Sequence, residues 1–180
     1  MQNTQNKPFQ TFLERTGQRI PLTLFNQFVA VAKMFSRLKL EVRAEFYFNH
    51  DTGKFNLYFP QQRVHRYWVE NDEPDGTFVN YMLDKNDQFC ELVCEIHAHH
   101  EMAPFPSSTD NASERLPGMS YVIVGHLLKD IPAVTARTFL PTEMHTDLEF
   151  SDIFYADKGY VTHDYDQLPS IKAKWFEIVR

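Results

Sequence analysis

Between residues 21 and 50 the spacing of apolar side chains switches from three-and-four to two, and no single element satisfies both. In PLTLFNQFVAVAKMFSRL (21–38), Leu24, Phe25, Phe28, Val31, Ala32 and Phe35 recur at helical spacing, with Pro21 opening the element. In the next stretch Val42, Ala44, Phe46 and Phe48 alternate with Glu41, Arg43, Glu45 and Tyr47, the period of a strand. HDTGK then reads as a turn and KFNLYFP as a returning strand, so the spacing predicts a hairpin. A helix followed at once by a hairpin must bury its stripe on a sheet, which restricts the chain to folds that layer helices on strands.

The rest of the chain continues that pattern. RVHRYWV reads as a third strand, NDEPDG (71–76) as a loop and TFVNYML as another strand. FCELVCEIHAH reads as a central strand, and EMAPFP is irregular because of its two prolines. SSTDNASER marks a helix start that Pro117-Gly118 stops. MSYVIVGHLL and TARTFL are further strands, and IKAKWFEIV has a short helical pattern. These elements predict an α/β domain, a mixed sheet flanked by helices. Residues 1–20 are polar and aperiodic and read as a loosely attached lead; 21–180 read as one domain with no repeat or linker.

Charge and cysteine usage narrow the function classes. The net charge is −6 and no run of Lys and Arg stands out, so no nucleic-acid partner is expected. The longest apolar stretch, near Met119 to Leu128, falls well short of the ~20 residues that span a bilayer, so no membrane association is expected. The first 20 residues show no signal-peptide pattern, which makes the cytoplasm the expected location. Cys90 and Cys94 sit four residues apart on one expected strand, ~13 Å between Cα atoms, too far for a disulfide. Both are expected to be free thiols.

The densest group of ligand-capable side chains is HAHHEMAPFPSSTD (97–110). His97 and His99, at i and i+2 on a strand, point to one face with Cα atoms ~7 Å apart, a separation that lets two imidazoles meet one ion. Cys90, Leu92 and Cys94 have the opposite parity on a regular strand. Asp110 falls in a first helical turn, where backbone amides favour an ionised carboxylate. Two His and one Asp leave a fourth position open, the arrangement of a catalytic zinc. Ser107-x-x-Asp110 is also an ordinary helix cap. Multiplied over all windows, the chain's own residue frequencies give His-x-His-x7-Ser-x2-Asp roughly one chance in a thousand of arising by accident. The scattered His50, His65, His126, His145 and His163 have no ligand spacing and read as structural or exposed.

His97-Ala98-His99, seven residues, Ser107, two residues and Asp110 resemble the metal motif of the JAMM metalloproteases, and the surrounding EIHAHHEMAPFPSSTDNASERLPGMSYVIVG resembles their prokaryotic JAB branch. The resemblance extends over roughly residues 21–130 and implies an MPN/JAB-like fold with cytidine-deaminase-like layering. It implies Zn2+ on His97, His99 and Asp110, with Ser107 donating a hydrogen bond to an oxyanion. It also implies an upstream glutamate that handles the proton of the attacking water. Glu41 stands at that place, and Glu45 on the same strand face is the reserve. The activity implied is hydrolysis of an amide in a protein substrate, often an isopeptide joining ubiquitin or a ubiquitin-like protein to lysine. His100 replaces a proline common in the family, and Ala98 replaces a small hydroxyl residue. Glu95 shares the parity of the two histidines and reads either as an acceptor orienting one of them or as a surface residue. The alternatives are a non-catalytic MPN-type scaffold, which usually lacks these ligands, and a RadC-like protein associated with DNA, whose proline-serine-glycine start is missing after His99.

Overall fold

The computed structural model describes residues 10–71, 90–159, 165, 168–169 and 171–180. The switch of period at residue 40 is realised as a helix, α2 (Leu22–Ser36), that leads into strand β2 (Arg43–Asn49). Lys39 takes a left-handed φ of 56°, and the amides of Leu38 and Leu40 donate back to the Phe35 carbonyl. This tight turn ends the helix and delivers Glu41 to the sheet. Asp157 caps the other end of α2 from far along the chain, accepting from the Thr23 amide (3.1 Å) and hydroxyl (2.8 Å).

Ahead of α2 lie α1 (Phe12–Thr16) and β1 (Ile20–Pro21). A capping box between Thr11 and Glu14 starts α1, and Phe12, Leu13 and Ile20 enter the core. Within the lead expected to be loosely attached over 1–20, Thr11, Phe12, Leu13 and Ile20 are buried, while residues 15–19 are exposed. Its polar composition hid three core anchors.

The β2–β3 hairpin forms as its alternation predicts, with β3 at Lys54–Tyr58. RVHRYWV is not one strand. It splits into β4 (Gln62–Val64) and β5 (Val69–Asn71), closed by the His65 amide on the Trp68 carbonyl. The strand expected at TFVNYML lies outside the described residues, as does most of NDEPDG. Then come β6 (Cys90–Ala98), α3 (Ser108–Ser113), β7 (Ser120–Gly125), β8 (Ala133–Phe139), β9 (His145–Asp147), α4 (Phe150–Ile153) and β10 (Phe154–Tyr155). The pattern in IKAKWFEIV yields one 3-10 turn, Ala173–Trp175, followed by β11 (Phe176–Ile178) rather than an α-helix.

The main sheet runs β3-β2-β6-β7-β8-β9, with β6 central as expected and β6–β7 its parallel pair. Smaller sheets, β11-β4-β5 and β1-β10, flank it. Phe25, Phe28, Val31 and Ala32 of α2 are buried with Ala44, Phe46, Ile96, Ala98, Val122 and Val124, forming one contiguous core on one face. The short α3, the connection between parallel β6 and β7, lies over the opposite face, so helices flank the sheet on both sides.

One regularity fails. The β2–β6 register jumps between Phe46 and Tyr47, leaving Val93 as the extra residue of a bulge. Below it Cys94, Ile96 and Ala98 face the main core. Above it Leu92 packs instead with Met119, Tyr121 and Phe139 on the far side. Leu92 and Cys94 thus lie on opposite faces, and the common parity expected of them is corrected. Among the described residues neither cysteine forms a disulfide.

Gly125 ends β7 where the 102–104 loop crosses it. A Cβ there would lie 2.3 Å from the Met102 carbonyl oxygen and 2.6 Å from the Pro104 nitrogen, both backbone atoms. Gly125→Ala must push this loop away, an overpacking cost of about 1–3 kcal/mol. Thermal unfolding by circular dichroism should fall by roughly 2–4 °C for each kcal/mol. An unchanged midpoint would show that the loop yields freely.

Candidate metal centre

The centre lies at the carboxyl end of β6, beside the crossover to β7. His97 is on the strand face away from the core, and His99 follows one residue past its end, held in the ladder by its amide on the Val124 carbonyl (2.8 Å). Their Nε2 atoms lie 3.1 Å apart. Ser107 and Asp110 form a reciprocal capping box that starts α3. Ser107 Oγ accepts from the Asp110 amide (3.1 Å), and Asp110 Oδ2 accepts from the Ser107 amide (2.6 Å). The same carboxylate turns toward the histidines, with Oδ1 3.3 Å from His97 Nε2 and Oδ2 3.5 Å from His99 Nε2. The capping box forms, and it aims the Asp110 carboxylate at the two histidines.

One ligand atom from each of His97, His99 and Asp110 falls within a 4.8 Å group. A tetrahedral ion with ligands at ~2.0–2.1 Å requires donor atoms about 3.3 Å apart, close to the separations here. Two imidazole nitrogens and a carboxylate converging this tightly suit a shared cation, and the donor set fits a zinc-type metal. The outward nitrogens also fit. His99 Nδ1 faces the Ala103 carbonyl at 3.3 Å and, because a carbonyl only accepts, must donate, leaving Nε2 free to ligate. His97 Nδ1 faces Glu114 Oε1 at 3.6 Å.

Glu41 belongs to the same place. The register pairs Arg43 with His97, and continuing it by two residues sets Glu41 against His99 on one face. Its amide donates to the His65 carbonyl (2.9 Å), which fixes it to the β4–β5 turn. Burial pushes its carboxyl up to about 8, a rise that nearby His99 opposes and Asp110 reinforces. Asp110 shows the reverse balance: burial would raise it, but hydrogen bonds from His97 and His99 hold it far below the carboxylate range. His99 is raised because its hydrogen bond to Asp110 and the charges of Glu41 and Asp110 overcome the effect of burial.

Glu45, the reserve, is occupied elsewhere. It accepts from the Tyr47 hydroxyl (2.8 Å) and the Asn71 amide group (3.2 Å). Glu95 forms an ion pair with Arg43 and so fills neither role expected of it, while Arg43 is half-buried rather than solvated. His100, at a left-handed φ of 39°, is buried. Its Nδ1 accepts from the Glu101 amide (2.7 Å), so Nε2 donates to the Arg66 carbonyl (3.0 Å) and fastens the β4–β5 turn over the site. Burial lowers its pKa and keeps it neutral. Of the scattered histidines, His145 lies 2.7 Å from the Glu114 carbonyl and His126 lies 3.0 Å from the Glu101 carbonyl, both structural contacts. His163 lies outside the described residues.

A narrow cleft of about 50 Å³ opens onto the group between Glu41, Tyr67 and Trp68 on one side and Ser107 and Asp110 on the other. Glu114 and its partner Arg137 were not singled out from the sequence. Glu114 stands four residues after Asp110, which places both on one helix face, but nothing local marks Arg137 as its partner.

Among solved structures, the fold is similar to that of a protein from Desulfitobacterium hafniense determined in solution. The two are 14% identical with a TM-score of 0.54, over 77% of this chain and 93% of that one. A solution structure of a protein from Salinibacter ruber is 19% identical with a TM-score of 0.47, over 79% of this chain and 94% of that one. No curated protein matches the chain. The family of prokaryotic homologs of the JAB domain matches residues 41–140, the span that begins at Glu41 and includes both histidines, Ser107 and Asp110. With more than half of its length matched, and with the motif folded into one group, the chain belongs to the prokaryotic JAB family.

Proposed function

We propose that the chain is a zinc-dependent amide hydrolase, acting on a protein substrate such as a conjugate or precursor of a ubiquitin-like protein. The observation that carries this reading is the convergence of His97, His99 and Asp110 beside a buried Glu41 at a narrow cleft. His97, His99 and Asp110 would hold the zinc, which would supply Lewis-acid activation of water and of the scissile carbonyl.

The protein groups then have separable tasks. Glu41 takes the proton of the attacking water and passes it to the leaving amine. Its carboxyl is buried within reach of the charges of His99 and Asp110, beside the place where that proton would be transferred. Ser107 Oγ uses only acceptor capacity in the helix cap, so its hydroxyl proton is free to stabilise the developing oxyanion. The β4–β5 turn, with Tyr67 and Trp68, walls the cleft and limits what enters. No described helix is long and apolar enough to cross a membrane. We place the protein in the cytoplasm, without a nucleic-acid partner.

Metal content of purified protein, measured by mass spectrometry without added zinc, tests the centre. About one zinc per wild-type chain and little in His97→Ala or Asp110→Ala is expected. A metal-free wild type whose folding ignores both zinc and chelator would sink the hydrolase reading. Glu41→Gln should keep its zinc yet cleave isopeptide conjugates about 10²–10⁴-fold more slowly than wild type.

Glu41 also predicts a pH dependence in the metal-free protein. Its folded pKa of about 8 exceeds the ordinary 4.5, so the folded state holds the proton more tightly. The resulting stabilisation is complete below pH 4.5 and is lost as pH rises toward 8, at up to about 1.4 kcal/mol per pH unit. In a chelator, Glu41→Gln should therefore gain thermal stability relative to wild type between pH 5 and pH 8. Parallel midpoints across that range would show that Glu41 carries no raised pKa.

A further inference from the structure

Behind His97 lies a buried pair that the motif does not contain. Glu114 caps the end of α3, and its amide donates to the Asp110 carbonyl (2.9 Å). Arg137 of β8 grips its side chain, with Nε and Nη2 both 2.7 Å from Oε2. Arg137 Nη1 also donates to Asn111 Oδ1 (2.6 Å), so one guanidinium holds two residues of the helix. Both partners are almost fully buried, at 4% and 5% exposure. Such a pair is a poor source of stability, because desolvation offsets most of the attraction. What it does secure is the direction of the other oxygen: Glu114 Oε1 faces His97 Nδ1 at 3.6 Å.

We propose that Glu114, held by Arg137, is a positioning residue that keeps His97 protonated on Nδ1 and turned so that Nε2 meets the metal. His99 has the Ala103 carbonyl for the same purpose, and Glu114 is the acceptor that faces His97. A carboxylate behind a ligating imidazole fixes its tautomer and raises its basicity, and losing such a partner weakens metal binding about 10–100-fold. Arg137 acts at one further remove by preventing Glu114 from rotating away. The proposal rests on the metal-centre reading above.

The test is zinc affinity by competition with a chromophoric chelator, together with the visible spectrum of the cobalt-loaded protein, for wild type, Glu114→Ala, Glu114→Gln and Arg137→Lys. Glu114→Ala is expected to bind zinc about 10–100-fold more weakly. Glu114→Gln, nearly isosteric and able to accept but uncharged, should lose less and shift the cobalt bands. Arg137→Lys keeps a cation on Glu114 and should hold zinc within a few-fold of wild type even as its metal-free melting point drops. Unchanged affinity and spectrum in both Glu114 variants overturns the proposal, and so do losses that simply follow metal-free stability across all three. If the wild type binds no zinc, the metal-centre reading fails with it; wild-type binding with indifferent Glu114 variants refutes the positioning role alone.

Discussion

The antiparallel pairing of β2 on β6 sets where Glu41 stands relative to the two histidines. With Arg43 opposite His97, Glu41 comes opposite His99, while Val42, Ala44, Ile96 and Ala98 turn inward beneath α2. A slip of β6 by one residue would carry the histidines into the core and Ile96 and Ala98 out to the cleft. Two devices hold the register at this end. The Ala98 amide donates to the Val42 carbonyl (2.9 Å). Beyond the end of β3, buried Gln62 takes the place of a strand: its carbonyl oxygen accepts from the Arg43 amide, and its Nε2 donates to the Arg43 carbonyl, each at 2.9 Å. The Val93 bulge lies toward the other end of β6, so its change of face does not reach the ligands.

Asp110 ties helix formation to the centre. A six-residue helix cannot persist on propensity alone, since nucleation costs more than so few hydrogen bonds return. It stands because Ser107 and Asp110 cap one end and Arg137 anchors Asn111 and Glu114 near the other. The carboxylate that completes the cap also faces both imidazoles, so a cation bound there and the order of α3 support each other. The short irregular link from His99 to Ser107 is held in the same way, by His99 Nδ1 on the Ala103 carbonyl and by the close passage of residues 102–104 over Gly125.

The sequence revealed what local periodicity controls. The helix at 22–36, the β2–β3 hairpin, the central β6 and the His-x-His and Ser-x-x-Asp segments all follow from spacings of two, three and four. What it hid depends on distant pairing. Phe12 and Leu13 sit in a polar stretch, and their burial is decided by a core assembled from residues far along the chain. RVHRYWV has strand composition throughout, and only the turn at 65–68 shows that it folds back on itself. Cys90, Leu92 and Cys94 were assigned one parity on the assumption of a regular strand, which a single bulged residue defeats. Arg137 lies 23 residues from Glu114 and meets it only because β8 passes under α3.

Glu41 and Glu45 cannot be told apart by spacing, and their electrostatic surroundings differ. Both lie on the same face and both are buried, which raises each carboxyl. Glu45 is compensated: Arg43 approaches at 4.0 Å, and Tyr47 and Asn71 both donate to it. Those partners fix the side chain in place. Among the described residues Glu41 has no such set of donors, and the charges acting on it are those of His99 and Asp110. A carboxyl desolvated without full compensation holds its proton near neutrality and responds strongly to any charge placed beside it. Two residues of identical type and parity thus sit in different surroundings: the β4–β5 hairpin meets the Glu45 carboxylate through Asn71 and the Glu41 amide through the His65 carbonyl.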